Sequence, residues 1–516
     1  MRRLLLLALA GSGSAGCEME APAQGSASLV LDIPNGVLDP KGYTAVEITL
    51  HDPTGDTVRS AAVGADGAFD LGDLDPRSAV SVEAVLRDES GAAVGYGRTA
   101  SALDLAAGAT ITVQVRRPIV YIAGLNYTVV GTADSWFTMP AVYSDLTTGV
   151  TLDGTTTLAE KSVLLLSAGP ALYSVEQAVS SASGLLTGPA TLRAVGAADH
   201  ALGPPLGTLM LGAVQDGAGS DDGQTLVIGT AEKLYGVDLR ATPTLVRELA
   251  PGSFSRVAIV AGADGGLGAV AIKNRVSTTG ACNPTAELWW IGGLGGEVID
   301  ARMVATGGFA DVAADRGRAW YVDACKGELG EVLADGARPV RADLGKPTAL
   351  AVSNGQAWIG VERAAPATLA ILVVPADAAS ATPRTLWSEP QDQILGATDF
   401  PGVERRLPAQ TATFLHLEIG AGGDYIAAAT AGDFFANRVN SANFPQMQIE
   451  TRELRVFDAA SGGAVQRYRS WCDGSYLYLS SDIRNWSCAT TTGQTAPTSA
   501  SRENRLSSLA FLFGKR

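Results

Sequence analysis

The sequence predicts an all-β chain in two unequal parts. Three observations carry that reading. Apolar and polar residues alternate along many short runs, Asp-Gly and Asn-Gly pairs recur throughout, and no long stretch has helical periodicity. Ala-rich pieces such as 376–381 are short and bounded by Pro. A length of 516 residues exceeds what a single ordinary core accommodates.

The first segment is an export signal. Arg2 and Arg3 precede an apolar run from Leu4 to Ala10, and Ser14-Ala15-Gly16-Cys17 follows. A basic start, a short apolar core and small residues before a cut form a secretory signal. The run is far short of the roughly 20 apolar residues that span a bilayer. An ordinary cut near Ala15 or Ala21 would leave Cys17 incidental. With a cysteine at the cut itself, the segment resembles the lipobox of bacterial lipoproteins, although Ser14 stands where that family usually has Leu. The resemblance implies that residues 1–16 are removed, that Cys17 is acylated, and that the protein works outside the cytoplasm on a membrane, the outer membrane being the expected one. Residues 17–25 would then be a tether of small residues, Glu and Pro.

Charge narrows the partners. The formal net charge is −15, and loss of Arg2 and Arg3 makes the mature chain more acidic still. Such acidity argues against nucleic acid and against electrostatic docking on anionic lipid. Cysteine usage fits export. With Cys17 assigned to lipid, Cys282, Cys325, Cys472 and Cys488 remain, an even number for an oxidising compartment. Sequence order favours Cys282 with Cys325 and Cys472 with Cys488, among three possible connectivities. No C-x-x-C occurs.

Residues 26–117 read as a small β-sandwich. Val46, Ile48 and Leu50 alternate with Glu47, Thr49 and His51, and Ile111, Val113 and Val115 alternate with Thr112, Gln114 and Arg116. Turn signals at Asn35-Gly36, Pro53-Thr54-Gly55, Asp66-Gly67 and Ser90-Gly91 separate such runs. Asp66-Gly67-Ala68-Phe69-Asp70-Leu71, followed by 80–86, resembles the carboxypeptidase-regulatory, transthyretin-like sandwich family. That likeness implies a spacer or adhesion module.

Residues 118–516 read as one repetitive β domain. Asp-Gly or Asn-Gly begins at 153, 216, 222, 264, 335, 354 and 473, each able to open a tight hairpin. Ala319-Trp320-Tyr321-Val322 recurs as Ala357-Trp358-Ile359-Gly360. Third strands of repeating units are expected at 172–176, 234–239, 288–291, 329–333, 369–374, 454–457 and 509–513. Units of about 40–50 residues match a propeller period. Val456-Phe457-Asp458-Ala459-Ala460-Ser461-Gly462 and Tyr235-Gly236-Val237-Asp238 resemble the strand-end Asp motif of bacterial β-propeller repeats. The resemblance implies a β-propeller of seven blades, with six or eight left open, closed by pairing 119–122 with 509–513. Loops between second and third strands would share one face with the blade-to-blade loops. That face would carry Cys282, Cys325 and the insertions 388–411 and 431–450. Phe434, Phe435 and Phe444, read as loop residues, are the candidate partner contacts.

Chemistry is sparse. His51, His200 and His416 are the only histidines, and none has a carboxylate at a telling spacing. There is no G-x-S-x-G, phosphate loop or H-E-x-x-H. Gly292-Gly293-Leu294-Gly295-Gly296 follows a strand but opens no helix, so it reads as a hairpin. Asp66, Asp70, Asp73, Asp75, Asp221 and Asp222 lack EF-hand spacing and read as turn residues. Of Trp289 and Trp290, one must point away from whatever the other packs on. No catalytic residue, cofactor or metal is expected. A non-catalytic binding or scaffold lipoprotein is the leading reading, similar in kind to the propeller lipoprotein of the outer-membrane barrel-assembly machinery, which lacks the sandwich and long loops. A propeller enzyme acting on polysaccharide would need acids around the channel, where only Asp311 and Asp315 occur. A passive envelope component is the third reading.

Overall fold

The computed structural model describes residues 2–3, 28–33, 40, 42–52, 55–64, 77–99, 103–105, 110–127, 136–138, 142–145, 150–152, 162–179, 186–196, 202–210, 212–241, 244–261, 266–275, 284–364, 366–391, 403–405, 411–420, 423–438, 447–474, 486–492 and 503–511. The architecture is all-β. Two compact units meet in sequence between Pro118 and Ile119.

In the N-terminal unit one hydrogen-bonded path joins Ser28–Ile33, Thr110–Arg116, Ala93–Arg98, Arg77–Asp88, Tyr43–Asp52 and Gly55–Ala62, in that spatial order. Ser28–Ile33 runs parallel to Thr110–Arg116 and the remaining neighbours are antiparallel. Arg2–Arg3 adds a two-residue edge strand on Ile33 and Asp32. The alternation seen in sequence becomes one buried face. Leu29, Leu31, Val46, Ile48, Leu50, Val82, Leu86, Val113 and Val115 form its core. Each such side chain contributes about 1.5–3 kcal/mol on burial.

In the second unit, six antiparallel sheets follow one another along the chain. They begin at Ser162, Val214, Phe254, Phe309, Lys346 and Thr411, and each runs from its innermost strand outward. These are six blades of a β-propeller. A further sheet is composite. The C-terminal strand Glu503–Phe511 pairs with Ile119–Tyr127, which continues through Val142–Asp145 to Val150–Leu152. Leu509 lies opposite Ile122 and Phe511 opposite Val120, as the sequence pairing anticipated. The strand also touches the inner strands Ser162–Ala168 and Thr411–Gly420, so it closes the ring. Against an expected seven blades, the structure thus has six built from contiguous chain and this composite closing sheet.

Five of the expected third strands are third strands: Lys233–Asp238, Ala286–Gly292, Glu328–Leu333, Ala367–Pro375 and Met447–Asp458. Two are not. Ala171–Val179 is the second strand of its blade, and Glu503–Phe511 is the closing strand. The apolar runs were alike, and only pairing order separates them.

The ring is held by aromatic side chains on inner strands. Phe254, Phe309, Phe414 and Phe511 are all buried. Phe511 packs where Gly420 has no side chain; a Cβ there would lie 2.3 Å from the ring. Its amide donates to Glu418 Oε1 at 2.8 Å. Phe414 uses Gly360 in the same way. Phe511→Ala should therefore cost about 3–5 kcal/mol by opening a cavity at the closure, read as a lower urea midpoint of the full chain. A midpoint within error of the wild type would show that closure does not limit stability.

Candidate functional site

Two regions on the propeller unit concentrate what a site would need. The first is an extension of the blade that begins at Thr411. Its later strands, Tyr425–Arg438, Met447–Asp458 and Ala464–Gly474, have 14, 12 and 11 residues, against six to nine in the blades starting at Val214, Phe309 and Lys346. Val403–Arg405, from the insertion 388–411, pairs with Arg438–Ala436. The two insertions are therefore joined. Phe434 and Phe435 lie on a strand, opposite Ile449 and Gln448, and not in a loop. The pairing runs past Gly432 to Ala436 without a register shift, which lengthens the hairpin. Phe444 lies outside the described residues. Trp486–Thr492 pairs with Ala464–Gly474 and sets Cys472 directly opposite Cys488. Cys325 occupies the turn between Arg318–Asp323 and Glu328–Leu333; its sulfur is bonded, not free. Cys17, Cys282 and His200 lie outside the described residues, as do Asp66, Asp70, Asp73 and Asp75.

The second region is the start of the inner strands. Each inner strand carries a register shift there, between Ser162 and Leu164, Val214 and Asp216, Phe254 and Arg256, Phe309 and Asp311, Pro347 and Ala349, Phe414 and His416, and Leu506 and Ser508. A bulge leaves one residue out of the ladder, and side chains supply what the ladder does not. Asp216 Oδ2 accepts from the Val257 amide at 2.9 Å, and Asp311 Oδ2 from the Leu350 amide at 3.0 Å. Ser508 Oγ accepts from the Leu165 amide at 3.1 Å. Each link runs to another inner strand. Arginines take the bulge carbonyls. Arg256 donates to Ser255 O at 2.8 Å and to Leu415 O, while Arg275 donates to Thr348 O at 3.2 Å. Arg256 Nε also lies 3.2 Å from Asp311 Oδ1.

This arrangement bears on the acids that an enzyme would use. Asp311 is 2 % exposed and its oxygens serve two amides, those of Leu350 and Val312, as well as Arg256. Asp315 accepts from the Gly355 amide at 3.3 Å. Both are engaged by backbone. Burial, followed by the nearby Arg256 charge, pushes the Arg275 guanidinium down to about 9. Tyr321, buried and donating to Glu328 at 2.6 Å, is pushed well above the usual phenol range by burial and then by that bond.

Two histidines lie beside carboxylates that their spacing in sequence did not single out. His51 is half-buried, with Asp56 2.9 Å from Nδ1 and Glu83 3.5 Å from Nε2. Strand pairing supplies the first contact, because His51 stands opposite Asp56. His416 is half-buried beside Glu418 at 3.3 Å. Trp289 packs between the blades starting at Val214 and Phe254, whereas Trp290 packs on the opposite face against the next blade. The glycine run 292–296 is a strand-to-strand turn whose carbonyls accept from Arg247. Carbonyls pointing at a guanidinium cannot cradle phosphate. Asp222 caps a turn by accepting from the Gln224 amide at 3.0 Å. Among the described residues no three His, Cys, Asp or Glu side chains could hold a metal ion.

No known protein family matches the sequence, and no curated protein matches it. Solved structures do resemble the fold. The RRP9 WD40 repeats are 10% identical over 64% of this chain and 94% of theirs, with a TM-score of 0.36. The WD40 domain of SCAP from fission yeast is 6% identical over 75% of this chain and 92% of its own, at 0.33. The computationally designed Ika8 protein is 10% identical over 67% of this chain and 96% of its own, at 0.31. The chain is a β-propeller. At these identities and scores nothing about activity transfers from the propellers it resembles.

Removing Asp311 should be costly. Asp311→Ala would strip the Leu350 and Val312 amides and Arg256 of a buried acceptor, for about 3–5 kcal/mol. Asp222→Ala, at a turn, should cost about 1 kcal/mol. Parallel chemical denaturation compares them, and equal losses would deny Asp311 its linking role.

Proposed function

We propose that this is a lipid-anchored extracytoplasmic protein with a binding or scaffold role and no catalytic role. The observation that carries the reading is the joined extension. Two insertions separated by a whole inner strand converge on one paired surface of a single blade. Long elements added to a regular scaffold are where binding residues concentrate. Phe434, Phe435 and Phe444 would supply its apolar contacts, and the partner would be a protein or a glycan. Cys17 would hold the chain on the outer membrane through its lipid. The N-terminal unit would act as a sandwich spacer of the carboxypeptidase-regulatory kind.

We extend the reading to the cysteines. Directly opposed strand residues have Cα atoms about 4.5–5.5 Å apart, within the range a disulfide spans, so Cys472 would pair with Cys488. Cys325 would then pair with Cys282, whose connection joins the second and third strands of the preceding blade.

Photo-crosslinking residues placed at 434 and 435, in cells with the native membrane, test the surface. The expected result is one recurrent protein or glycan linked from at least one of the two positions, which face opposite ways on their strand. No recurrent link from either position would move the interface away from the extension. Mass mapping of the unreduced protein tests the rest. It should find an acylated Cys17 as the first residue, with Cys472–Cys488 and Cys282–Cys325 peptides. An unmodified start beyond Cys17 would remove the lipid anchor.

A further inference from the structure

Arg275 is the charged side chain that the ring arrangement leaves least explained. It follows Leu267–Lys273, at the connection to the third strand of its blade, and is half-buried. Its one hydrogen bond goes to a carbonyl, Thr348 O. Among the described residues no carboxylate lies within ion-pair distance of it. Its Nε is buried without a hydrogen-bond partner. A buried cation without an ion-pair partner is costly.

Its surroundings are rich in donors with nothing to donate to. Ser255 Oγ and Thr348 Oγ1 are buried without partners, and Arg256 Nε makes only its ion contact with Asp311. Ser255 and Thr348 are the residues that the bulges of their strands set out of register. Arg256 reaches Leu415 O, on the inner strand three blades further round, so its guanidinium crosses the axis of the ring. The two arginines and two hydroxyls therefore gather at the end of the channel where the inner strands begin.

The acids nearby do not answer this cluster. Asp216 and Asp311 have oxygens committed to the Val257, Leu350 and Val312 amides. Glu362 Oε2 accepts from Lys346 Nζ at 2.8 Å, and its Oε1 is a buried acceptor without a donor. A ligand that offers oxygens to the arginines and hydroxyls would give these donors partners, and one that also carries a proton, as hydrogen phosphate does, would have a donor for Glu362 as well. We propose that this mouth of the propeller channel binds a small oxyanion, a phosphate or carboxylate group, between Arg275 and Arg256 and against Ser255 and Thr348. The burial and, after it, the like charge of Arg256 that depress the Arg275 pKa are the cost such an anion would offset. Guanidinium forks suit either group, since both present paired oxygens. The site needs neither the lipid nor a macromolecular partner.

Titration calorimetry of the full chain in chloride-based buffer, with inorganic phosphate and separately with acetate, tests this. Saturable binding of one or both is expected, and hydrogen phosphate should bind more tightly because it also carries a donor for Glu362. Phosphate alone would assign a phosphate site, and acetate binding as tightly would assign a carboxylate site. Arg275→Gln should weaken binding by about tenfold or more, the worth of a charged hydrogen bond. Thr348→Val keeps the carbonyl used by Arg275 and should weaken binding less. Circular dichroism confirms that each variant is folded, and if Arg275→Gln is not, Thr348→Val decides. No saturable binding of either anion by the wild type, or wild-type affinity in the folded variant that decides, would overturn the proposal.

Discussion

The structure depends on how the inner strands satisfy their bulges. Strands that converge on one axis crowd there, and a bulge re-aims each strand at the expense of its ladder. Every bulge leaves amides and carbonyls that must find partners away from water. The partners come from the ring itself. Asp216, Asp311 and Ser508 take amides on other inner strands, and Arg256 and Arg275 take carbonyls. The ring is thus linked through side-chain bonds as well as by packing. No single sheet can satisfy its own inner edge, so the blades depend on one another.

Closure follows from the same constraint. An open ring would expose the inner strand of the first contiguous blade and the flank of the last. The C-terminal strand covers both, and it carries the same devices as the others: a bulge at 506–508, a hydroxyl that takes a neighbour's amide, and a buried phenylalanine seated on a glycine. Glu418 then ties it to the inner strand beside it.

Much of the fold was legible in the sequence because strands announce themselves by alternation and turns by glycine. Val46, Ile48 and Leu50 face the core as their period of two requires. Asn354-Gly355 is a tight turn with positive φ at both residues, as its composition implies. Asp216-Gly217 shows the limit. The same signal lies inside a strand, because the aspartate is spent on an amide 41 residues away and Gly217 packs against Leu166. The His51 contacts were hidden for a similar reason, since register and not spacing brings Asp56 and Glu83 to it. The arginine cluster was invisible altogether. Ser255, Arg256, Arg275 and Thr348 come from two blades, and no local pattern marks a bulge. Phe434 and Phe435 were read in the right segment but in the wrong state, because Pro- and Asn-rich sequence nearby reads as loop until its pairing partner is known.

These features bear on the binding role proposed for the propeller. Hydrolysis or lyase chemistry needs carboxylates free to exchange protons with a substrate. The acids of the inner strands face the opposite demand: Asp311 is held by the Leu350 and Val312 amides, and Asp315 by that of Gly355. Moving either carboxylate would leave a buried amide without its acceptor. The extension is built differently: its strands run past the length of the inner strand, and its two insertions pair with each other. A ring whose inner strands are bonded to one another, with one blade carrying paired insertions, is the arrangement on which the proposed binding or scaffold role draws.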